Sequence, residues 1–442
     1  MARINKKLSS SQIIIIGFAA GILIGALLLM LPISTRGEGG ASFPDALFTA
    51  TSALCVTGLI VQDTATYWSE FGQAVILTLI QIGGMGFITI AVAMAAVSGK
   101  KIGLRQRSLM QDSISADKVG GIVELTGFII KMTAIFELCG AVLMAPAFCG
   151  EFGILRGIWY SVFHSVSAFC NAGFDLMGAK EQFSSLTSYV GNPLINIVIM
   201  ALIIIGGIGF LTWDDVRKHK FRLRRYRMQS KVIITVSALL ILLPAAYFFF
   251  FELSGSPAGE RVLGSFFQSV TLRTAGFNTV DYSLISEAGI AMMIAVMLVG
   301  GSPGSTAGGM KTTTLAVMLS TAVSVFRRRE HTHFFGRRIP EDTIRSAATI
   351  LTMYLVLFIG GGCIISRIEG LPLLTCLFET ASAVGTVGLT LGITPTLGAV
   401  SRAILILLMY CGRVGGLTLI FAALSESRGN TSRFPQEKIT IG

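Results

Sequence analysis

TSALCVTGL (residues 51–59), HSVSAFCNAGF (164–174), QSVTLRTAGF (268–277) and ETASAVGTVGL (379–389) decide how this chain is read. Each places a glycine directly before a large apolar residue, and each closes a short apolar segment: Phe43 to Cys55, Gly157 to Cys170, Arg261 to Leu272 and Leu371 to Val384. A dozen or so residues cannot cross about 30 Å of hydrocarbon, which takes about 20 residues as a helix. The segments have the length of helices that enter a membrane and stop. The first opens as a helix should, with Ser42 as a cap, then Pro44 and the acidic Asp45 in the first turn. Pro372 opens the last in the same way.

The four glycines, Gly58, Gly173, Gly276 and Gly388, stand 115, 103 and 112 residues apart. Apolar runs long enough to span begin near Ile13, Gln73, Ile122, Pro193, Lys231, Ile285, Ser346 and Gly398, one on either side of each short segment. A second echo lies in the later run of each pair: IQIGGMGFITI (80–90), IIIGGIGFLTW (203–213), VGGSPGSTAGGMKTTT (299–314) and GRVGGLTLI (412–420). A period near a hundred residues with a constant internal order is internal duplication. The expected fold is an all-α integral membrane protein of eight transmembrane helices, with four pseudo-repeats of span, re-entrant pore helix and span around one central ion pore. The repeats are expected at 1–99, 122–216, 229–326 and 343–427, with a short cytoplasmic tail at 428–442.

Composition agrees with a bilayer as solvent: 52% of the 442 residues are hydrophobic and only 13% charged, against about 25% charged in soluble domains. The first run follows Met1, Arg3, Lys6 and Lys7 without a small-residue cleavage site and reads as a retained helix rather than a signal peptide. Basic residues gather in alternate connections: Lys100, Lys101, Arg105 and Arg107, then Arg217 through Arg227, then Arg327 to Arg338. The positive-inside rule then puts both termini of a multi-pass protein in the cytoplasm, in the cytoplasmic membrane. The net charge of +11 is accounted for by these loops and points to no nucleic-acid partner. Cys55, Cys139, Cys149, Cys170, Cys363, Cys376 and Cys411 lie scattered, without a CxxC or metal-ligand spacing, and read as packing residues.

Non-helical backbone at membrane depth persists only where protein or a water-filled cavity satisfies it, so the four glycine strings belong together around an aqueous axis. Glycine accepts positive φ and lets an extended stretch turn its carbonyls inward; rings of carbonyls replace the hydration shell of a bare cation. Four helix C-termini aimed at the same place, each resembling about half an elementary charge, disfavour anions. The expected selectivity filter comprises Val56, Thr57, Gly58 and Leu59; Cys170, Asn171, Ala172 and Gly173; Arg273, Thr274, Ala275 and Gly276; and Gly385, Thr386, Val387 and Gly388, with a monovalent cation as substrate and no cofactor in this chain. The alternative is four interfacial loops whose small residues serve close packing.

In the third segment Gly300, Gly301, Gly304, Gly308 and Gly309 each disfavour helix by about 1 kcal/mol and Pro303 by about 3 kcal/mol. With Ser302, Ser305 and Thr306 they form a candidate gate below the filter; the alternative is a kink. Arg413, where a charge at depth costs about 2.5–3.5 kcal/mol, is expected to face the cavity, raise the barrier for cations there, and pair with the gate loop or slow leakage; the alternative is a purely structural ion pair. Lys311 either helps to close the pore or marks the cytoplasmic border, the border being favoured. Glu137 is a functional candidate that equally accepts backbone hydrogen bonds at a pore-helix end, the structural part being favoured. Arg273 and Glu379 are expected to form a charge network bracing the filter. His164 reads as a satisfied buried histidine; His331 and His333 read as solvated.

An enzyme is excluded by the lack of HExxH, paired intramembrane aspartates or a serine elbow. A secondary transporter of another solute usually has two repeats and presents helix N-termini to anions. Any nucleotide control must come from a separate partner, since no GxGxxG follows a strand pattern.

VTGL, CNAGF, RTAGFNT and GTVGL, after short pore helices in a four-fold arrangement, resemble the Trk/Ktr/HKT superfamily of potassium transporters over essentially the whole chain. The membrane subunit of the bacterial Ktr system is the nearest type, since Trk-type relatives usually carry a further helix pair at the start. The resemblance implies potassium selectivity, because glycine stands at all four filter positions, whereas serine at the first accompanies sodium transport in some plant relatives. It also implies an intramembrane gating loop at 300–309, an arginine in the last span, a homodimer, and a cytoplasmic ring of nucleotide-binding (RCK-type) regulatory subunits. Sodium coupling, as in a symport, and a less selective cation pore of the same fold stay open.

Overall fold

A computed structural model of the chain describes residues 9–86, 122–220, 222–416 and 418. The N-terminal basic residues, the 100–107 basic cluster and the 428–442 tail lie outside the described residues. What is described is almost wholly helical; a hairpin pairing His333–Phe334 with Arg337–Arg338 is the one sheet among those residues.

Helix α1 (Ser10–Leu29) starts on a capping box, Ser9 and Gln12 each accepting from the other's backbone N–H. The short α2 (Phe43–Leu54) carries the expected Ser42 cap with Pro44 and Asp45 in its first turn, and α3 (Glu70–Met85) is capped by Ser69. Then follow α4 (Ile122–Phe152), the short α5 (Ile154–Phe169), α6 (Pro193–Gly207) and α7 (Phe210–His219). Beyond them α8 (Met228–Tyr247) runs on through a π turn to Glu252, ahead of the short α9 (Ala258–Thr271), α10 (Glu287–Met297) and α11 (Thr312–Phe326). Last come α12 (Glu341–Glu369), the short α13 (Leu373–Gly385) and α14 (Ala399–Val414).

Among the described residues α1, α4, α8 with its π turn, and α12 are long and apolar enough to cross a membrane. Interruption was expected in the third later run alone, yet among the described residues the helix ends inside the expected span in all four: α3 at Gly86 (φ +85°), α6 at Gly209 (φ +97°), α14 at Gly415 (φ +89°) and α10 at the loop before Lys311. After Gly209 the chain turns by 96° into α7. Every break falls in the second echo, and at three of them a glycine adopts a φ that side-chain-bearing residues avoid.

The same echo explains how closely the helices approach. A Cβ on Gly83 would overlap the Leu54 carbonyl, one on Gly206 the Phe169 carbonyl, and one on Gly412 the Val384 carbonyl, so in the first, second and fourth segments the helix after the string lies directly against the last turn of its own short helix. Each such helix also packs on the next short helix: α3 on α5, α6 on α9, α10 on α13, and α14 back on α2. The circuit is closed by an ion pair of Arg402 with Asp45 at 3.0 Å and by the Tyr410 hydroxyl donating to the Ile15 carbonyl at 2.7 Å.

Candidate ion pathway

The four short helices deliver their glycines to one place. A Cβ built on Gly58 would stand 3.1 Å from Gly173 Cα, one on Gly173 2.8 Å from Gly276 Cα, one on Gly276 3.4 Å from Gly388 Cα, and one on Gly388 2.9 Å from Gly58 Cα. The ring is closed, each glycine facing the next. The position where a side chain would begin is occupied by a carbonyl oxygen of the neighbouring string: Ala172 at Gly58, Ala275 at Gly173, Val387 at Gly276 and Thr57 at Gly388. Glycine is needed because those oxygens use the space.

Backbone conformation repeats as well. Gly58, Gly173, Gly276 and Gly388 have φ of +97°, +68°, +82° and +94°, and the residue two before each is also left-handed: Val56 (+57°), Asn171 (+58°), Thr274 (+62°) and Thr386 (+52°). For the β-branched three this is strained backbone. Composition of the strings does not announce it. A hydroxyl in the last turn of each short helix holds the strand: Ser52 and Ser382 accept from the amides of Gly58 (3.1 Å) and Gly388 (3.0 Å), while Ser167 and Thr271 donate to the carbonyls of Phe174 (2.7 Å) and Phe277 (2.5 Å). Four residues before each hydroxyl stands a fully buried phenylalanine, Phe48, Phe163, Phe267 or Phe378. This Phe-x-x-x-Ser/Thr signature is obscured in the sequence because the third string reaches its glycine one residue sooner than the others.

With the glycines as the reference level, Cys55 rather than Val56 stands at the level of Cys170 and Gly385, and Leu59 stands with Phe174, Phe277 and Leu389. Thr57, Thr274 and Thr386 each bury a hydroxyl with no hydrogen-bond partner among the described residues.

The loop after α10 lies across the ends of the broken helices. It is pinned to itself by Gly300 N–H to Met310 O (2.7 Å) and Thr312 N–H to Gly301 O (3.0 Å). It is pinned to the end of α6 and the start of α7 by Ser302 N–H to Gly207 O (3.1 Å), Thr306 N–H to Gly206 O (3.2 Å) and Phe210 N–H to Gly304 O (2.6 Å). Thr306 Oγ1 lies 3.0 Å from the Phe169 carbonyl and 3.1 Å from Asn171 Oδ1, and Asn171 Nδ2 donates to the Arg273 carbonyl at 3.3 Å. Asn171 thus joins the loop to two of the strings.

Arg413 is fixed on both sides of this space. Its Nη1 donates to the Thr306 carbonyl at 2.5 Å, and its Nη2 to the Gly83 carbonyl and, at 3.4 Å, to that of Gly84. A residue of α14 therefore ties the loop after α10 to the end of α3 through three carbonyls, and no ion pair of Arg413 occurs among the described residues. The Lys311 ammonium turns back to Ala307 O (2.8 Å) and Gly308 O (3.3 Å) and lines, with Arg413, a cavity of about 270 Å³ beneath the loop.

The expected Arg273–Glu379 network is absent from the described residues. Arg273 Nη2 donates to Ser237 Oγ at 3.0 Å, whereas Glu379, fully buried, accepts from Thr390 Oγ1 (2.5 Å), Thr394 Oγ1 (2.6 Å) and the Leu391 amide (3.0 Å). The two lie at different strings, and each finds partners in its own segment. Glu137 sits at the end of the short helix α5, but its donor is the Gln81 side chain (3.3 Å), with the Cys170 thiol 3.9 Å away, rather than backbone amides. His164 is buried, its Nδ1 2.7 Å from the Tyr160 carbonyl and its Nε2 accepting from Leu176 N–H at 3.3 Å, which assigns the proton to Nδ1. No cluster of metal ligands occurs among the described residues.

A family model described as TrkH, cation transport protein, matches residues 10–432. The chain is 39% identical to the potassium/sodium uptake protein NtpJ of Enterococcus hirae, over 100% of this chain and 99% of that protein. It is 38% identical to the Ktr system potassium uptake protein B of Bacillus subtilis, over 98% and 96%. The crystal structure of the potassium transporter TrkH from Vibrio parahaemolyticus shares the fold, with a TM-score of 0.74 at 19% identity over 96% of this chain and 87% of that one. The chain therefore belongs to the Trk/Ktr family of membrane cation transport proteins.

Proposed function

We propose that the chain carries potassium into the cell across the cytoplasmic membrane through the ring at Gly58, Gly173, Gly276 and Gly388. The closed ring, in which a carbonyl of each string occupies the side-chain space of a neighbouring glycine, carries this reading, because carbonyl rings substitute for an ion's hydration shell. The ring residues bind the ion, and the Gly300–Gly309 loop gates it. The short helices enter from outside, both termini are cytoplasmic, and the four segments act as pseudo-repeats of span, pore helix and span. The relatives' names, which give potassium uptake and, for one, a Ktr system, support a potassium substrate. They also support a multi-component assembly, here a homodimer on a nucleotide-binding regulatory ring. Sodium passage is the second reading, favoured by the potassium/sodium name of the E. hirae relative.

The test is rubidium and sodium uptake in potassium-uptake-deficient cells. Expression of the chain should restore rubidium uptake above sodium uptake, and deletion of Gly300 to Gly309 should abolish closure and raise basal flux. Equal uptake of both ions would support the second reading, and an unchanged flux after the deletion would remove the gate.

A further inference from the structure

We propose that the chain holds an anionic glycerophospholipid beside its ion pathway, with the headgroup between Arg36 and Arg156 and an acyl chain against α3. A cavity of about 890 Å³ opens between the first turns of α3, with Glu70, Gln73 and Ala74, and the start of α5, with Leu155, Arg156, Trp159 and Tyr160; Arg36 closes one wall. Arg36 is held in place by its backbone N–H to Tyr67 O (2.9 Å) and its Nε to Trp68 O (3.2 Å). Neither bond uses its Nη groups. Neither arginine takes part in an ion pair among the described residues, although Glu70 shares the rim. Two guanidinium groups and one carboxylate leave one net positive charge, and a guanidinium fork matches phosphate oxygens.

The surroundings place the site at a membrane interface. The Trp159 indole donates to Gln73 Oε1 at 2.9 Å, which fixes the aromatic wall, and tryptophan with tyrosine is the usual lining at headgroup level. Leu155 in the lining is 87% exposed, apolar surface that a lipid covers. A second, apolar groove of about 450 Å³ runs along α3 against α1, between Gly21, Gly25 and Leu28 on one side and Phe71, Val75 and Ile82 on the other. Ala74 borders both cavities. From Phe71 to Ile82 the helix rises about 16 Å, close to half of the ~30 Å hydrocarbon thickness, the reach of one leaflet's acyl chain. Phosphate contacts and acyl groove thus meet across one small residue. On the orientation proposed above the lipid belongs to the outer leaflet; the contacts themselves do not depend on that orientation.

Native mass spectrometry of the full chain in detergent, titrated with phosphatidylglycerol or phosphatidylcholine, tests this. Phosphatidylglycerol should be retained in preference. Arg156→Gln should weaken it about fivefold and Arg36→Gln with Arg156→Gln about 25-fold, from roughly one charged contact each. Ala74→Phe, which narrows the path without altering charge, should weaken it too, and Arg337→Gln, in the distant hairpin, should not. Equal retention of the two lipids, or wild-type retention by the double variant, overturns the proposal. So does a cross-link from Leu155→Cys to a second copy, which would show that another chain fills the mouth. Rubidium over sodium selectivity measured on the same preparations reports on the pore separately.

Discussion

Replacing Arg413 with glutamine should open the pathway. The guanidinium holds the Thr306 carbonyl on one side and the Gly83 and Gly84 carbonyls on the other, and a glutamine amide, shorter and unforked, reaches one side at most. A hydrogen bond from a charged donor contributes about 1.5–3 kcal/mol; water entering the opened state offsets part of the loss, which leaves about 2 kcal/mol, or about a 30-fold shift from closed to open. Removing the charge acts in the same direction, since a fixed cation about 8 Å from a passing ion raises its energy by about 2 kcal/mol at an effective dielectric of about 20. Rubidium flux into proteoliposomes measures the sum. Arg413→Lys separates the two contributions: lysine keeps the charge and loses the fork, so its flux should lie between wild type and glutamine. A glutamine variant that is folded, with unchanged melting temperature, and conducts no faster than wild type would refute the assignment of Arg413 as the strut of the closed state.

Thr306→Val removes the donor that reaches the Phe169 carbonyl and Asn171 Oδ1; two buried acceptors lose a partner, costing about 1–3 kcal/mol, and both a lower melting temperature and a higher basal flux should follow. Ser382→Ala leaves the Gly388 amide without its hydroxyl acceptor, a loss of about 1 kcal/mol that should loosen the ring and reduce the rubidium-to-sodium flux ratio several-fold while leaving the protein folded. Glu379→Gln puts an NH₂ group against donors from Thr390, Thr394 and Leu391, so thermal stability in detergent should fall by about 2 kcal/mol; an unchanged melting curve would show that the carboxylate is not the organiser of that loop.

Much of the architecture was legible in letters because it depends on local facts. Apolar run length, the Ser42–Pro44–Asp45 start and the recurring glycine strings all report on backbone and solvent within one stretch, and they gave the helix positions and the four glycines of the ring. What was missed depends on neighbours far away in sequence. Gly83, Gly206 and Gly412 look like a loose echo until the carbonyls of Leu54, Phe169 and Val384 are found against them; then the breaks at Gly86, Gly209 and Gly415 in three of the four later helices make sense. Arg273 and Glu379 look like complementary charges in a list, yet one bonds Ser237 and the other a cluster of threonine hydroxyls. Lys311 reads as a border residue by its place after the loop, and letters do not show that the loop folds back and offers it two carbonyls. Left-handed backbone at Val56, Thr274 and Thr386 contradicts the preferences of β-branched residues; only the packing of four strings against each other imposes it, and strain of this kind concentrates at functional positions.

The central claim is that four unlike strings act as one ring, and serine substituted singly at Gly58, Gly173, Gly276 and Gly388 tests it most directly. Each added side chain meets a carbonyl or Cα of another string at a φ that serine avoids. The relative flux of rubidium and sodium in proteoliposomes should therefore fall in all four variants, by about tenfold for roughly 1.4 kcal/mol of lost discrimination. A flux ratio that stays at the wild-type value in a folded variant at any one of the four positions would contradict the account.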